Sequence, residues 1–179
     1  MKGGILVFRV EEAGRDRLEV LPGMLRERAA WLEARNWKMW EASRLTIQDM
    51  LRRYHDPVAY LAFDGAEAVD EARAEAVGGF LLVGSDDHYW SEKAGDKALY
   101  LHKFVVRLGF GGRGYSGRML EWVKDFGRAA GMDFVRLDYQ RGRGALAGLY
   151  LAHGFLEVGE MKNRDGDLMV KAECVLDGG

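Results

Sequence analysis

A glycine-rich stretch between a predicted strand and a predicted helix is the feature that most limits how this chain can fold. It runs from Gly109 to Gly117 with the sequence GFGGRGYSG. A helix N-terminus exposes unpaired backbone N–H groups and the positive end of the helix dipole, which together favour a phosphate. Glycine lets phosphate oxygens approach those N–H groups, and Arg113 and Arg118 add positive charge. The pattern predicts a phosphate-binding turn, with a flexible surface loop as the alternative.

The elements around this turn alternate in a definite order. Hydrophobic periodicity predicts a strand, two helices, three strands, a helix, a strand, a helix and two strands. The strands are predicted at 5–10, 58–63, 77–83, 98–107, 134–139, 155–158 and 168–175. The helices are predicted after the Pro22–Gly23 break through Leu32, at 46–54 with Thr46 as its cap, and at 117–130 and 145–152. Segments 64–76 and 85–97 are predicted to be loops.

Composition predicts a single globular domain over residues 1–179. Hydrophobic residues make up 48% of the chain and charged residues 30%, a balance that supplies a core. The net charge of -2 gives no reason to expect nucleic acid as a partner, because such a partner favours a basic surface. Any anion site must therefore be local.

Cysteine content and hydropathy indicate a cytoplasmic protein. Cys174 is the only cysteine, so an internal disulfide and a cysteine-based metal cluster are both excluded. No apolar run approaches the roughly 20 residues that cross a bilayer, and the N-terminus lacks the pattern of a signal peptide. The histidines and carboxylates show no metal-ligand spacing, so we expect no metal.

The glycines alone also fit a dinucleotide-binding turn. Two overlapping sets match G-x-G-x-x-G, and Asp138 at the end of the next strand would then bind a ribose. A doubly wound fold needs several further βα units after its glycine turn, and too few residues follow here. A dinucleotide-dependent oxidoreductase is therefore the less favoured alternative.

Two blocks of sequence resemble the GCN5-related N-acetyltransferase (GNAT) family. In the first, the end of a strand at Phe104, Val105 and Val106 precedes the Gly-x-Gly of Gly112 to Gly114. In the second, a helix carrying Tyr150 precedes Gly154-Phe155. The chain departs from the family pattern at two positions, with Gly109 in place of Arg or Gln and Arg143 in place of Asn.

The resemblance implies a fold and a cosubstrate. The fold would be α/β (α+β): a mixed, mostly antiparallel twisted sheet of about seven strands, flanked by helices, with a splayed central strand pair. Acetyl-CoA would lay its pantetheine arm along the splayed strand and its pyrophosphate on the glycine turn, while Arg143 would either reach a phosphate or face water. The predicted cofactor-binding residues are Phe104, Val105, Val106, Gly111, Gly112, Arg113, Gly114, Tyr115, Ser116, Gly117 and Arg143.

Two residues are predicted to move protons during acetyl transfer. Tyr150 matches the helix tyrosine of the GNAT family, and the resemblance implies a general acid near the CoA sulfur. The alternative role of Tyr150 is core packing. His102 lies on the predicted strand before the turn, on the same face as Phe104 and Val106 if side chains alternate. An unperturbed imidazole titrates near pH 6.5, which suits a general base acting directly or through a water. Its alternative is a structural histidine.

The function predicted on these grounds is an N-acetyltransferase acting on a primary amine of a small molecule or peptide. A non-catalytic acetyl-CoA-binding module is the other alternative that stays open. A homodimer is possible by resemblance, and no membrane partner is expected. The polar loop around Asp86 to Trp90 either walls the acceptor site or is only solvated, and Asp138 either orients a water or pairs with an arginine.

Overall fold

The computed structural model describes residues 8–65 and 74–176, in which seven strands and four α-helices occur. Their order along the chain is the predicted one. The strands are β1 Phe8–Glu12, β2 Val58–Asp64, β3 Gly78–Val83, β4 Ala98–Val106, β5 Phe134–Gln140, β6 Leu156–Lys162 and β7 Leu168–Val175. The helices are α1 Val20–Glu33, α2 Ile47–Arg53, α3 Tyr115–Ala129 and α4 Gly144–Ala152.

The strands form one mixed, mostly antiparallel sheet in the order β1-β2-β3-β4-β5-β7-β6. The pairs β1/β2, β5/β7 and β6/β7 are antiparallel, whereas β4 and β5 are parallel. This arrangement confirms the predicted fold class. It also disagrees with the doubly wound parallel sheet that a dinucleotide-binding domain requires.

The parallel pair of β4 and β5 is joined only over its first half. Their register runs from Ala98 opposite Phe134 to Leu101 opposite Leu137. Strand β4 nevertheless continues to Val106, and β5 continues three residues past its last paired position. The two strands therefore separate after four residue pairs, and this separation is the predicted splay.

The element boundaries differ most from the predicted ones at β6, which continues to Lys162 and not only to residue 158, and at α1. The helix begins at Val20 and contains Pro22 and Gly23, which were predicted to precede it. Pro22 is the third helical residue, where the missing N–H has no intrahelical acceptor to lose, so the first turn tolerates it. The Thr46 cap is confirmed, because its Oγ1 accepts the Asp49 N–H at 3.1 Å.

Part of two predicted segments lies outside the described residues, namely 5–7 of the first strand and 66–73 of the loop after β2. Within the described ranges, no helix is both long and apolar enough to cross a bilayer.

The chain forms two compact units, each built from several segments. The first contains Met1–Met50, Val58–Leu81 and Lys103–Met119, and the second contains Leu51–Pro57, Leu82–His102 and Leu120–Gly179. Whether the chain behaves as one domain stays a prediction.

The core of the first unit lies where α1 meets β2 and β3. Leu21 and Leu25 of α1 are fully buried. The rings of Tyr60 and Phe80 stack with centroids 5.6 Å apart, and Phe104 follows at 6.2 Å from Phe80. Because a buried aromatic side chain removes a large apolar area from water, this row contributes strongly to the unit's stability.

The second unit buries a charged residue at its centre. Arg136 on β5 is 0% exposed, and its Nε donates to Glu173 Oε2 at 2.6 Å. Its other nitrogens donate to Asp96 and, at 3.0 Å, to the Tyr100 hydroxyl. The guanidinium also lies 5.1 Å from the centre of a Trp90 ring. A buried charge is tolerated when it is paired in this way, because the partners replace the lost hydration.

Gly78 on β3 offers a test of the packing in the first unit. A Cβ added there would lie 2.7 Å from the backbone oxygen of Val105 and 2.8 Å from Met119 Cε. The carbonyl cannot rotate away, so we expect Gly78→Ala to lower the free energy of unfolding by about 1–3 kcal/mol. Denaturant unfolding measures this change.

The matched control is Gly84→Ala, just after the same strand, because nothing lies within 4 Å of a Cβ added there. Its free energy of unfolding should stay within about 0.5 kcal/mol of the parent value. Equal losses in the two variants would contradict the proposed close approach of the chain at Gly78.

Candidate active site

The glycine-rich turn leads into α3 with a row of available amide donors. Within the described chain, no N–H of residues 111–117 donates to a backbone carbonyl, and the first helical bond is Arg118 N–H to Gly114 O at 3.1 Å. Gly109, Gly112 and Gly114 have φ values of 86°, 75° and 77°, a conformation that favours glycine. The turn therefore presents the kind of donor array that binds a phosphate.

Side chains in the first turn of α3 are held by β2 of the same unit. The Tyr115 hydroxyl donates to Asp64 Oδ2 at 2.6 Å, and this hydrogen bond, followed by burial, raises the tyrosine pKa. Arg118 lies 3.6 Å from the same carboxylate. Arg113 instead lies over the Phe110 ring at 5.2 Å. Tyr115 is thus a predicted cofactor residue whose hydroxyl is already engaged, which leaves its backbone amide for a ligand.

Strand β4 contains an irregularity that a regular side-chain alternation does not predict. Lys103 has a left-handed backbone, with φ at 53°, although it is not a glycine. Such a residue interrupts the alternation of side chains along a strand. Regular alternation therefore does not extend past Lys103. It no longer supports the prediction that Phe104 and Val106 share a face with His102. Lysine is not a residue type that favours this conformation, so the sequence carries no signal for it.

The predicted base lies in a buried cluster within the second unit. His102 is 7% exposed, and its Nε2 lies 3.2 Å from Asp86 Oδ2. On the other side of the ring, Nδ1 lies 3.8 Å from Asp138 Oδ1. The Tyr54 ring packs against the imidazole with centroids 4.5 Å apart. The fold thus flanks both nitrogens of this histidine with carboxylates.

The position of the cluster follows from the splay of the sheet. His102 directly follows Leu101, the last residue of β4 that pairs with β5, and Asp138 directly follows the last paired residue of β5. Because the strands are parallel, these two positions come at the same level of the sheet. Asp86 comes from the loop after β3, a segment predicted either to wall the acceptor site or to be only solvated. Asp138 was predicted to orient a water or pair with an arginine; its Oδ1 lies beside the His102 ring, and that choice stays a prediction.

Asp86 is held rigidly by its own turn. Its Oδ1 accepts the backbone N–H groups of His88 at 3.2 Å and Tyr89 at 3.1 Å. Burial raises the pKa of this carboxyl, but the His102 ring and the two backbone amides outweigh burial, so the net shift is downward. Asp86 is therefore a carboxylate at neutral pH.

The same cluster bears on the expectation that no metal binds. One ligand-type atom from each of Asp86, His102 and Asp138 lies within 4.8 Å of the others, a spacing that a divalent cation could also bridge. Residues this far apart in sequence show no linear ligand pattern. Only the fold brings them together.

The predicted acid, Tyr150, is buried on α4. Its ring lies 5.4 Å from that of Tyr139 and 5.9 Å from that of Phe155. Burial, helped by the charge of Asp138, raises the Tyr150 pKa, so its hydroxyl keeps its proton through the neutral range. The residue borders a cavity of about 250 Å³ lined by Tyr139, Ala147, Gly148, Tyr150, Leu151, Phe155, Glu157 and Ala172.

Arg143 occupies the N-cap of α4, where the family pattern has an asparagine. Its Nε and Nη2 both donate to Gln140 Oε1, at 3.0 and 2.7 Å. The guanidinium is thus tied to the end of β5. Whether it also reaches a phosphate stays a prediction.

Comparison with known proteins shows similarity in fold and not in sequence. No family model matches the chain, and no curated protein matches it significantly. A GNAT-family acetyltransferase structure from Listeria monocytogenes superposes with a TM-score of 0.69 at 20% identity, covering 94% of this chain and 95% of the other.

Two functionally described structures are also similar. The ribosomal-protein-S18-alanine N-acetyltransferase of Escherichia coli has a TM-score of 0.65 at 12% identity, covering 97% of this chain and 96% of its own. The spermidine N-acetyltransferase of Vibrio cholerae, in complex with CoA and spermine, has a TM-score of 0.65 at 12% identity, with 94% and 95% covered. The strand order, the splayed pair and these superpositions agree, and the chain has the fold of the GNAT acetyltransferases.

Proposed function

We propose that the protein is an N-acetyltransferase that passes the acetyl group of acetyl-CoA directly to a primary amine. The observation that carries this proposal is the buried imidazole of His102, flanked by Asp86 and Asp138, at the point where β4 and β5 separate. An amine is protonated at neutral pH and cannot attack a thioester until a base removes its proton. A histidine held between two carboxylates is suited to that task.

Acetyl-CoA is the cosubstrate in this proposal. The amides of residues 111–117 would hold its pyrophosphate, because they lack backbone acceptors within the described chain. The pantetheine arm would pair with the backbone of Phe104 to Val106 as an added strand does. The Vibrio cholerae structure with CoA supports the choice of cosubstrate.

The proposed reaction proceeds by direct attack. His102 takes one proton from the acceptor ammonium, and the neutral amine attacks the thioester carbonyl. The N–H of Val105 or Val106 would donate to the oxyanion that forms. The carbon–sulfur bond then breaks, Tyr150 protonates the leaving thiolate, and the phenolate regains the proton that the acylated nitrogen loses. The raised pKa of Tyr150 keeps its hydroxyl protonated until the thiolate forms, and the same shift makes the hydroxyl a weaker acid.

The acceptor is proposed to be a small-molecule or peptide amine. The printed names of the similar structures include a polyamine acetyltransferase and an acetyltransferase of a protein alanine. Specificity within one fold comes from loops that differ between proteins, so these names support the class of acceptor only. A homodimer and a cytoplasmic location belong to the same proposal.

An acetyl-CoA assay tests the function directly. The protein is mixed with acetyl-CoA and a panel containing spermidine, an alanine-ended peptide, free amino acids and an aminoglycoside, and released thiol is measured. We expect amine-dependent release of CoA with at least one acceptor class. Tight binding of acetyl-CoA without turnover on any amine would favour a non-catalytic binding module, and absence of binding would reject both functions.

Replacing the proposed base should slow the chemical step. We expect His102→Gln to lower kcat by about 10²–10⁴ and to flatten the acidic limb of the pH–rate curve. The matched control is His55→Gln, because the His55 side chain is 82% exposed. A variant at position 102 with the parent pH profile would show that this histidine is structural.

Replacing the proposed acid should affect turnover more than cosubstrate affinity. We expect Tyr150→Phe to lower kcat while the Kd for acetyl-CoA changes little, because only the hydroxyl proton is lost. The control is Tyr139→Phe, which removes a neighbouring hydroxyl that donates to Glu157 at 2.6 Å. Equal kcat values in the two variants would assign Tyr150 to packing alone.

A further inference from the structure

The two carboxylates beside His102 differ in distance and in exposure. Asp86 lies 3.2 Å from Nε2 and its side chain is 5% exposed. Asp138 lies 3.8 Å from Nδ1 and its side chain is 12% exposed. One side of the ring is therefore closed by a near and buried carboxylate. The other side is wider and closer to solvent.

On the closed side, the contact decides which nitrogen carries the proton. Asp86 Oδ2 and His102 Nε2 are both buried, neither makes a well-formed hydrogen bond among the described residues, and the acceptor or donor within reach of each is the other atom at 3.2 Å. Each buried polar atom therefore depends on the other. An ionised carboxylate can only accept, so the neutral imidazole must carry its proton on Nε2. The lone pair of the ring then lies on Nδ1.

On the wider side, the gap suits a donor that bonds to two acceptors. A separation of 3.8 Å between Nδ1 and Oδ1 exceeds a hydrogen bond, but a third atom beside them can reach both. A primary ammonium has three N–H donors and no acceptor. The nearby charges also favour a cation. The two carboxylates that face the ring carry more charge than Arg53, which is the cation that acts on the adjoining Tyr54 and Tyr89.

We propose that Asp86 is a positioning residue that keeps the His102 proton on Nε2, and that His102 Nδ1 and Asp138 Oδ1 together seat the ammonium group of the acceptor. This inference rests on the proposed acetyl transfer and adds that the primary amine binds as its ammonium ion. The seated ammonium passes one proton to Nδ1 and keeps its nitrogen lone pair for the attack. The resulting imidazolium lies between Asp86 and Asp138, and it returns its proton to solvent after the product leaves.

Asp86→Asn separates this role from a merely structural one. The Asp86 oxygen that accepts the amides of His88 and Tyr89 is Oδ1, so in the variant the amide oxygen should keep that place and preserve the turn. The NH₂ group then takes the place of Oδ2 and donates to Nε2. The ring must respond by moving its proton to Nδ1, the nitrogen that would otherwise accept the substrate proton.

The tautomer of His102 can be read directly by NMR. Long-range ¹H–¹⁵N correlations of ¹⁵N-labelled protein at about pH 8.5, where an ordinary imidazole is neutral, distinguish the two nitrogens. The His102 signals are assigned by their loss in His102→Gln. We expect an Nε2–H ring in the parent protein and in the neighbouring control Asp87→Asn, and an Nδ1–H ring in Asp86→Asn. An Nδ1–H or a charged ring in the parent protein overturns the proposal, as does an unchanged tautomer in Asp86→Asn.

The ammonium seat is tested with ethylammonium chloride as the probe and ethanol as its neutral counterpart. Ethylammonium should shift the His102 nitrogen signals of the parent protein, ethanol should not, and Asp138→Asn should weaken the ethylammonium response about tenfold. The proposed ammonium site is overturned if the parent protein responds equally to ethylammonium and ethanol. It is also overturned if the parent protein and Asp138→Asn respond equally to ethylammonium. A tightly held zinc ion in the purified protein, whose removal by EDTA changes the His102 signals, would also overturn it.

Kinetics with an accepted amine then separate the two carboxylates. Asp138→Asn should raise the amine KM about tenfold and leave the acetyl-CoA KM unchanged, whereas Asp86→Asn should lower kcat by about 10² or more. The NMR readouts need no turnover. Failure of acetyl transfer with the expected tautomer and ammonium response therefore rejects the reaction alone, and turnover with the wrong tautomer rejects this inference alone.

Discussion

The end of pairing between β4 and β5 is the constraint on which the candidate site depends. Backbone hydrogen bonds hold the two parallel strands together only as far as Leu101 and Leu137. The next residue on each strand is ionisable, His102 on one and Asp138 on the other. A continuous ladder would occupy the backbone groups at this level and close the gap between the strands. Because the ladder stops, two ionisable side chains can face each other between the two strands.

Two buried basic side chains of the second unit, Arg136 and His102, differ in how completely they are paired. Arg136 is fully buried and has carboxylate, hydroxyl and aromatic partners around its guanidinium. Such a saturated group contributes to a defined core and has little left to offer a ligand. The His102 ring has one close carboxylate and one at 3.8 Å. That incomplete pairing is costly to bury, and a ligand that completes it recovers the cost.

Sequence patterns predicted the order of elements because each element carries a local signal. The strands and helices around the glycine turn have the right periodicity, and Gly131 ends α3 with the left-handed φ of 69° that a helix terminus favours. The start of α1 was predicted too late, since Pro22 reads as a break although the first helical turn accepts it. The left-handed backbone of Lys103 left no trace in the sequence, because lysine is not a residue type that favours this conformation.

The sequence by itself predicted the helices and strands in their order and the amide-rich turn before α3. It also gave His102 and Tyr150 as candidate catalytic residues. The elements and the turn follow from periodicity and glycine content, which act over a few neighbouring positions. Tyr150 was predicted from the resemblance to the GNAT family, and His102 from its imidazole chemistry together with that resemblance. Only the tertiary structure decided that Asp86 and Asp138 flank His102 at its two nitrogens. Those three residues come from a loop and two strands that are distant in sequence. Their contact depends on where the β4–β5 ladder stops, and no local pattern encodes that point.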